Sequence, residues 1–513
     1  VAAKLWIDVE DLFEYARSSP RPSGIQRLAF EIYKVLQVRS DASEFVRFVR
    51  HDSPRDTFRV VQWAEVKALF ADLAETVPEL AQTVLPGAIL PHAPARQLVR
   101  KLVHRLPPSL RAHVIDVMLT QSTAFHAWWG LVDALARGVL LRLAAPFRLI
   151  WAPAKKSSAL AKPAEMHAPE CRDAFGEASS AGDILLVLGS PWSHPDYARL
   201  MRAQRLRGLK FVLLVYDLIP LLRPEWFDRG LVRIFRSWFD SIFPLCDHVF
   251  AISQATAQDV ELYARERGIA LSAPVTAVPI GTSFGAANVP VPAPRTWRLP
   301  EPGSYTLIVS TIEPRKNHQL LFRVWRRMLE ELPRESVPTL VFAGRIGWLS
   351  DDLMQQIANT NNLDGKLVWV ENPTDAELVA LYEGCLFSLF PSFYEGWGLP
   401  VTESLALGKP CLTSNRSSLP EAGGNLARRF DPDDLNDAYR AIREAIDDRP
   451  GLARWEAQIR REFKPISWTA TADAILTALN HPMAPGKPMA LGVPMASRDD
   501  ETEAASLVRS GAR

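Results

Sequence analysis

Short, wholly apolar runs alternate with helix-period segments through most of this chain, and that alternation restricts its fold more than any other feature. In the second half, Tyr305-Thr-Leu-Ile-Val-Ser-Thr311 reads as a buried strand. From His318 to Glu331, Leu320, Leu321, Val324 and Met328 then recur at helical spacing. Further apolar runs stand at Thr339–Ala343, Lys366–Val370 and Leu386–Phe390, with polar-faced helices between them. The first half repeats the pattern at Asp183–Leu188, Lys210–Tyr216 and His248–Ser253, after a first strand at Leu5–Asp8. Strands that are apolar on both faces, each followed by a helix, predict parallel sheets covered on both sides. Between the halves, 289–302 carries five prolines, which sustain neither helix nor central strand, and reads as a stiff linker. The expected architecture is α/β: two doubly wound domains facing a cleft.

Composition narrows the classes. The chain has 513 residues, with 48% hydrophobic and 23% charged residues, which is globular and long enough for two to four domains. A net charge of +1 argues against a protein coated in cations for nucleic-acid binding. The four cysteines are far apart with no CxxC pair, so a disulfide framework is not expected and a reducing compartment fits. The 10 histidines form no H-x-x-x-H cluster, and no metal site is expected. No run suits a membrane span: the best, Trp128 to Trp151, carries Asp133, Arg137, Arg142, Pro146 and Arg148. The opening residues do not resemble a signal peptide, so a cytoplasmic location is expected.

Two regions break the alternation. Residues 64–170 read as a helical insertion, and 96–166 holds 11 Lys/Arg against 3 Asp/Glu, a local +8 that leaves −7 for the rest. Trp128, Trp129, Leu140, Leu141, Phe147 and Trp151 are interleaved with that charge. Such a segment suits the headgroup layer of an anionic membrane, or equally a helical insertion that packs on the first domain and snorkels its Arg heads. The stretch 482–513 has no periodicity and reads as a disordered tail after a last helix at 468–481.

Chemistry concentrates in two loops. In Phe390-Pro-Ser-Phe-Tyr-Glu-Gly-Trp-Gly-Leu-Pro-Val-Thr-Glu-Ser-Leu-Ala-Leu-Gly408 a strand ends, Gly396 and Gly398 permit a tight turn, Pro400 opens a helix and Gly408 ends it. That helix start lies at the carboxyl edge of a parallel sheet, where ligands of open α/β sheets bind and free N–H groups favour phosphate. Glu395 and Glu403 can both face that crevice as acceptors for sugar hydroxyls. The second loop, Ser310-Thr-Ile-Glu-Pro-Arg-Lys-Asn-His318, follows a strand of the same sheet and brings Arg315 and Lys316 to the same edge. Singly, a glutamate in a first helical turn complements the dipole and adjacent loop cations are solvated. Their shared edge is what argues for a site.

Glu395-Gly-Trp-Gly-Leu-Pro-Val-Thr-Glu403 resembles the E-x7-E signature of retaining GT-B glycosyltransferases of family 4, and Glu313-Pro-Arg-Lys-Asn317 resembles the basic donor loop of its mannosyltransferase-like branch. Val341–Trp348 and Leu419–Gly424 are similar to other segments of its carboxyl-terminal domain. Pro22-Ser-Gly-Ile-Gln-Arg27 is similar to the glycine loop of its acceptor domain, and Val215-Tyr-Asp-Leu-Ile-Pro220 to its HD-containing segment. The resemblance covers 300–480, and more loosely 1–40 and 183–285, but not 60–170 or the tail.

It implies Rossmann-like domains at 1–288 and 303–467. It implies a nucleotide-sugar donor, GDP-mannose first, no further cofactor, and retention at the anomeric carbon without a metal. Glu395 would bind donor hydroxyls beside Gly396, Trp397, Gly398 and Leu399. Glu403 would hold the ribose, Lys316 and Arg315 the diphosphate, and Gly24 would let its loop approach the phosphates. Two positions depart from the family: Ser310 and Thr311 stand where many members carry an Arg, and Tyr216 stands before Asp217 where the family has His. The implied acceptor is a glycan or glycolipid, with a lipid-diphosphate-linked saccharide at the inner membrane face suggested by the basic insertion.

Other classes remain in view. A dinucleotide-dependent oxidoreductase needs G-x-G-x-x-G after its first strand, but Val-Glu-Asp-Leu-Phe follows Asp8. A glycoside hydrolase needs two carboxylates roughly 5–10 Å apart, which Glu395 and Glu403 could supply, yet it leaves Arg315 and Lys316 without a purpose. A membrane scaffold with a transferase-like core would neither bind nor hydrolyse nucleotide sugars.

Overall fold

A computed structural model describes residues 3–18, 22–40, 45–52, 57–75, 174–194, 196–282 and 300–479. Seven strands form the first sheet: β1 (Leu5–Asp8), β2 (Val46–Asp52), β3 (Thr57–Val61), β4 (Ile184–Val187), β5 (Lys210–Val215), β6 (His248–Ala251) and β7 (Thr276–Ala277). Their order is 3-2-1-4-5-6-7, and every pairing is parallel except β2 with β3 at the edge. The second sheet contains β8 (Tyr305–Val309), β9 (Thr339–Ala343), β10 (Leu367–Val370), β11 (Ser388–Phe390), β12 (Cys411–Ser414) and β13 (Arg428–Phe430). It is fully parallel, in the order 10-9-8-11-12-13. Strand order therefore reverses between β1 and β4 in one sheet and between β8 and β11 in the other, and loops at such reversals open into a crevice. The two Rossmann-like sheets are those expected from the alternation.

The strands form where apolar runs are continuous because both faces are buried. Leu5, Trp6 and Ile7 are at most 1% exposed, as are Leu185, Leu186 and Val187. Each such side chain, fully buried, contributes on the order of 1.5–3 kcal/mol. One apolar cluster runs through both sheets, while the outer face of each sheet has a cluster of its own. The helix expected at His318–Glu331 has those bounds and buries Leu320, Leu321, Val324 and Met328. The pair β2–β3 has no continuous apolar run, because Arg47, Arg50 and Arg59 interrupt it, as suits an edge hairpin.

Of the expected insertion, only its beginning is described, within the helix Trp63–Glu75. Residues 76–173, most of the linker at 289–302 and the tail at 482–513 lie outside the described residues. The last described helix, Trp468–Ala478, crosses back to the first sheet and packs on the helix Gly24–Ser40, where Arg39 meets Asp473 at 2.9 Å. The Thr282 N–H donates to the Ile466 carbonyl at 3.0 Å, and a Cβ on Gly281 would lie 2.4 Å from the Trp468 ring.

Candidate functional site

The loop after β8 is built to hold a fixed shape. Pro314–Lys316 forms one tight helical turn, and Asn317 closes it in the left-handed region at φ 57°. The Asn317 side-chain amide donates to the Pro391 carbonyl at 3.3 Å and the Pro432 carbonyl at 3.0 Å, tying this loop to the ends of β11 and β13. The Phe393 N–H donates to the Arg315 carbonyl at 2.9 Å. Neighbouring strands thus deliver two loops to one place, although 79 residues separate Lys316 from Glu395.

There the charged groups meet. Lys316 Nζ donates to Glu395 Oε1 at 2.6 Å, and Arg315 Nη1 lies 2.7 Å from Glu395 Oε2. Arg315 Nη2 also reaches Glu313 Oε1 at 2.8 Å, and Glu313 is 4% exposed. Burial pushes the Glu395 carboxyl up, but Arg315 and Lys316 outweigh it and hold the group down at about 2. The Arg315 guanidinium is kept charged: burial disfavours it, while Glu395, Glu313 and Asp217 more than restore it. Burial and the Arg315 charge lower Lys316, with Glu395 pulling the other way. These groups form a network in which removing one partner strands buried charge, at roughly 3–5 kcal/mol.

The helix Leu399–Ala406 starts beside this network. Gly398 precedes it at φ 114°, which a side chain would strain, and a Cβ there would lie 2.6 Å from Leu419 Cδ2. Ser417 and Ser418 brace the turn through the Glu395 N–H, the Glu395 carbonyl and the Trp397 carbonyl. Across the cleft the helix Gly24–Ser40 begins, with the Gly24 Cβ position 3.8 Å from Leu399. Two helix starts therefore face one another. Glu403 accepts a hydrogen bond from the Tyr382 hydroxyl at 3.3 Å, and burial raises its carboxyl to about 7 against the opposing pull of Arg27 and Tyr382. Arg27 pairs with Asp375 across the cleft at 2.7 Å.

The amino-terminal sheet meets this edge directly. A Cβ on Gly396 would lie 2.1 Å from the Tyr216 carbonyl oxygen, so only glycine permits this approach. The Thr256 hydroxyl bonds the Gly396 carbonyl at 3.2 Å, and the Tyr394 hydroxyl bonds Asp259 at 2.8 Å. Tyr216, which stands before Asp217 where the family has His, lines the cavity described below, and its hydroxyl also lies 3.4 Å from the Ile25 carbonyl. It donates to the Leu188 carbonyl at 2.6 Å and packs the end of β5 against the loop after β4. Asp217 accepts from the Ile219 N–H at 3.0 Å, and burial raises its carboxyl despite nearby Arg315. A cavity of about 700 Å³ opens here, with Asp217, Arg315 and Arg345 in its wall.

Three polar residues of this site are given no role by the motifs: Asp11, Glu313 and Arg27. Asp11 lines the cavity, held by Gln26 at 3.0 Å and Ser190 at 3.1 Å, and burial raises its carboxyl. Its position just past the first strand was the available signal. Glu313 stood inside the basic loop and Arg27 inside the glycine loop, yet only the assembled cleft shows what each faces. Among the described residues there is no group of three or more His, Cys, Asp or Glu that could hold a metal ion, and no helix long and apolar enough to cross a membrane.

Residues 293–462 match the family model of glycosyl transferases group 1. The serotype-specific mannosyltransferase WbdA of Escherichia coli is 31% identical over 306 residues, which is 58% of this chain and 36% of that one. The O-antigen chain mannosyltransferase B of Escherichia coli is 32% identical over 164 residues, covering 32% of this chain and 42% of that protein. A D-inositol 3-phosphate glycosyltransferase of Thermobifida fusca is 30% identical over 203 residues, 36% of this chain and 44% of its own. The chain thus spans less than half the length of each of these relatives.

Proposed function

We propose, on the premise that residues 293–462 belong to the glycosyl transferases group 1 family, that the protein is a retaining hexosyltransferase moving mannose from GDP-mannose onto a glycan acceptor. The observation that carries this reading is the buried Arg315–Lys316–Glu395 network beside the start of the helix Leu399–Ala406. Breaking the anomeric C–O bond leaves positive charge on the sugar and places negative charge on a diphosphate. Lys316, Arg315 and the helix N-terminus favour that leaving group, and such preorganised charge is commonly the largest catalytic contribution. Glu395 holds both cations in position, and when donor binds it turns an oxygen to the sugar hydroxyls. Glu403 takes the ribose hydroxyls. Asp217 accepts a hydrogen bond at the sugar side of the cleft, and Tyr216 acts through its backbone and packing. The similarity to WbdA and the O-antigen chain mannosyltransferase supports mannose as the sugar and surface polysaccharide as the product class.

The basic stretch 96–166 supports peripheral contact with the inner face of the cell membrane and a lipid-diphosphate-linked acceptor there. Deleting 96–166 is expected to weaken sedimentation with anionic liposomes; undiminished binding favours the packing reading instead.

The central test is a panel of nucleotide sugars offered to the purified protein. GDP-mannose is expected to be consumed fastest, with the product keeping the anomeric configuration. Lys316→Ala should cut turnover by on the order of 10²–10³. Glu395→Gln should do likewise and also lower the melting temperature, because Arg315 and Lys316 lose their counter-charge. Full turnover in either variant removes the assignment.

A further inference from the structure

The turn that presents Glu395 is held from both sides of the cleft. Its own half supplies the serine braces, Ser417 on the Glu395 N–H and Ser418 on the Glu395 carbonyl. The amino-terminal half supplies a second set, aimed at the residues on either side of Glu395. There the helix Gln254–Glu266 starts at Ser253, whose hydroxyl accepts the Thr256 N–H at 2.9 Å and fixes the first turn. From that turn Thr256, 1% exposed, donates its hydroxyl to the Gly396 carbonyl at 3.2 Å. One turn further along, both Asp259 oxygens lie 2.8 Å from the Tyr394 hydroxyl, which donates to them. Residues at i and i+3 share a helix face, so one face reaches both neighbours of Glu395. Phe393, one residue earlier, stacks on Trp226 of the same half with ring centres 5.7 Å apart.

Tyr394 joins this contact to the charged network. Its carbonyl accepts from Arg315 Nη1 at 2.8 Å while its hydroxyl is held by Asp259. A hydroxyl that donates to a carboxylate forms one of the stronger hydrogen bonds, and a tyrosine ring has only two torsions through which that hold is lost. Burial raises the Asp259 carboxyl to about 6 against the pull of Tyr394, and the charge of Asp217 in the cavity wall pushes the same way. Glu421 adds a further tie. Its two oxygens accept the Gln254 N–H at 3.0 and 2.9 Å, so a carboxylate of the second half satisfies the start of this helix.

We infer that Asp259 and Tyr394 are positioning residues, a clasp through which the closed cleft sets Glu395, and with it Arg315, in working geometry. The inference rests on the transferase reading for what that geometry achieves. It goes beyond that reading by placing control of the charged edge in a helix of the opposite half, none of whose residues lines the cavity. Opening the clasp leaves both sheets intact and lets the turn shift. A shift of that kind shows in turnover more than in donor affinity.

The test pairs hydrogen exchange with steady-state kinetics on the full chain. In Tyr394→Phe and Asp259→Ala, amide exchange across 393–398 is expected to quicken about tenfold, the share of one hydrogen bond to a charged group. Exchange in β8 and β9 should stay as it was. Release of GDP from GDP-mannose, with water or methyl α-mannoside as acceptor, should lose about tenfold in kcat. The KM for GDP-mannose should stay within about twofold. Asp259→Asn keeps an acceptor oxygen for the Tyr394 hydroxyl and is expected to restore both exchange and kcat. A contact that only adds stability would lower the melting temperature and leave kcat of the folded protein alone. Unchanged exchange across 393–398 in Tyr394→Phe overturns the inference, as does full kcat in Asp259→Ala, or an Asp259→Asn variant no better than Asp259→Ala. The two readings fail separately. Quickened exchange in a protein that GDP does not protect from thermal unfolding, and that leaves GDP-mannose intact, removes the transferase and keeps the clasp. Turnover with unchanged exchange does the reverse.

Discussion

The two sheets share a strand order, 3-2-1-4-5-6 against 10-9-8-11-12-13, yet their carboxyl edges carry opposite chemistry. The second sheet brings Arg315, Lys316, Glu313 and Glu395 into one buried charged network. The first sheet presents a wall rich in aromatic side chains together with the carboxyls Asp11 and Asp217, both raised by burial. Topology therefore decides where a ligand sits, and the loops decide what kind it is. On the proposed function, this asymmetry would serve a reaction that separates charge, one edge facing the departing anion and the other the nucleophile.

The contrast holds only while the edges touch, and Gly396 is where they touch. Gly396→Ala would place a Cβ 2.1 Å from the Tyr216 carbonyl oxygen and push the edges apart. A misplacement near 1 Å can cost about 10²-fold, so turnover is expected to fall by that order while each half stays folded. Unchanged turnover would mean that the facing edges do not act together.

Glu403 tests the charged edge by itself. Its carboxyl is raised from 4.5 to about 7 by burial, so the native state holds an extra proton between those values. Native stability should therefore fall as pH rises across that window and level off above it. Glu403→Gln is expected to flatten that slope, which is bounded at about 1.4 kcal/mol per pH unit. Denaturant midpoints measured from pH 5 to 8 check it.

The smallest effect belongs to the rim. Trp348 is 45% exposed, but its Nε1–H donates to the Trp226 carbonyl across the cleft at 2.7 Å. Trp348→Phe removes that bond, worth about 1 kcal/mol, and is expected to raise KM about fivefold with little change in kcat. A drop in kcat instead would place Trp348 in the chemistry.

Much of the architecture was legible from local pattern. The strands β4, β5, β6 and β8 to β11 follow from continuous apolar runs, and the helix His318–Glu331 from its spacing. The hairpin β2–β3 and the short strands β7 and β13 were not, since partly exposed strands lack that signature, nor was the buried β12, whose run ends on the polar Thr413 and Ser414. At the site, the residue types of both loops and the turn at Gly398 could be read directly. The hydrogen bonding of Tyr216 could not, because its hydroxyl reaches the Leu188 carbonyl, 28 residues away in sequence.

Periodicity and turn chemistry are properties of a few neighbouring residues, so the chain alone determined parallel sheets, the two charged loops and the glycines that shape them. Which carboxylate answers which cation depends on β8 lying beside β11, and which carbonyl Gly396 meets depends on how two sheets close on each other. Those are contacts between residues 79 and 180 positions apart, the second being 396 less 216, and no local rule specifies them. Tertiary structure alone decided that Glu395 pairs with Arg315 and Lys316, and that aromatic side chains gather at the opposite edge.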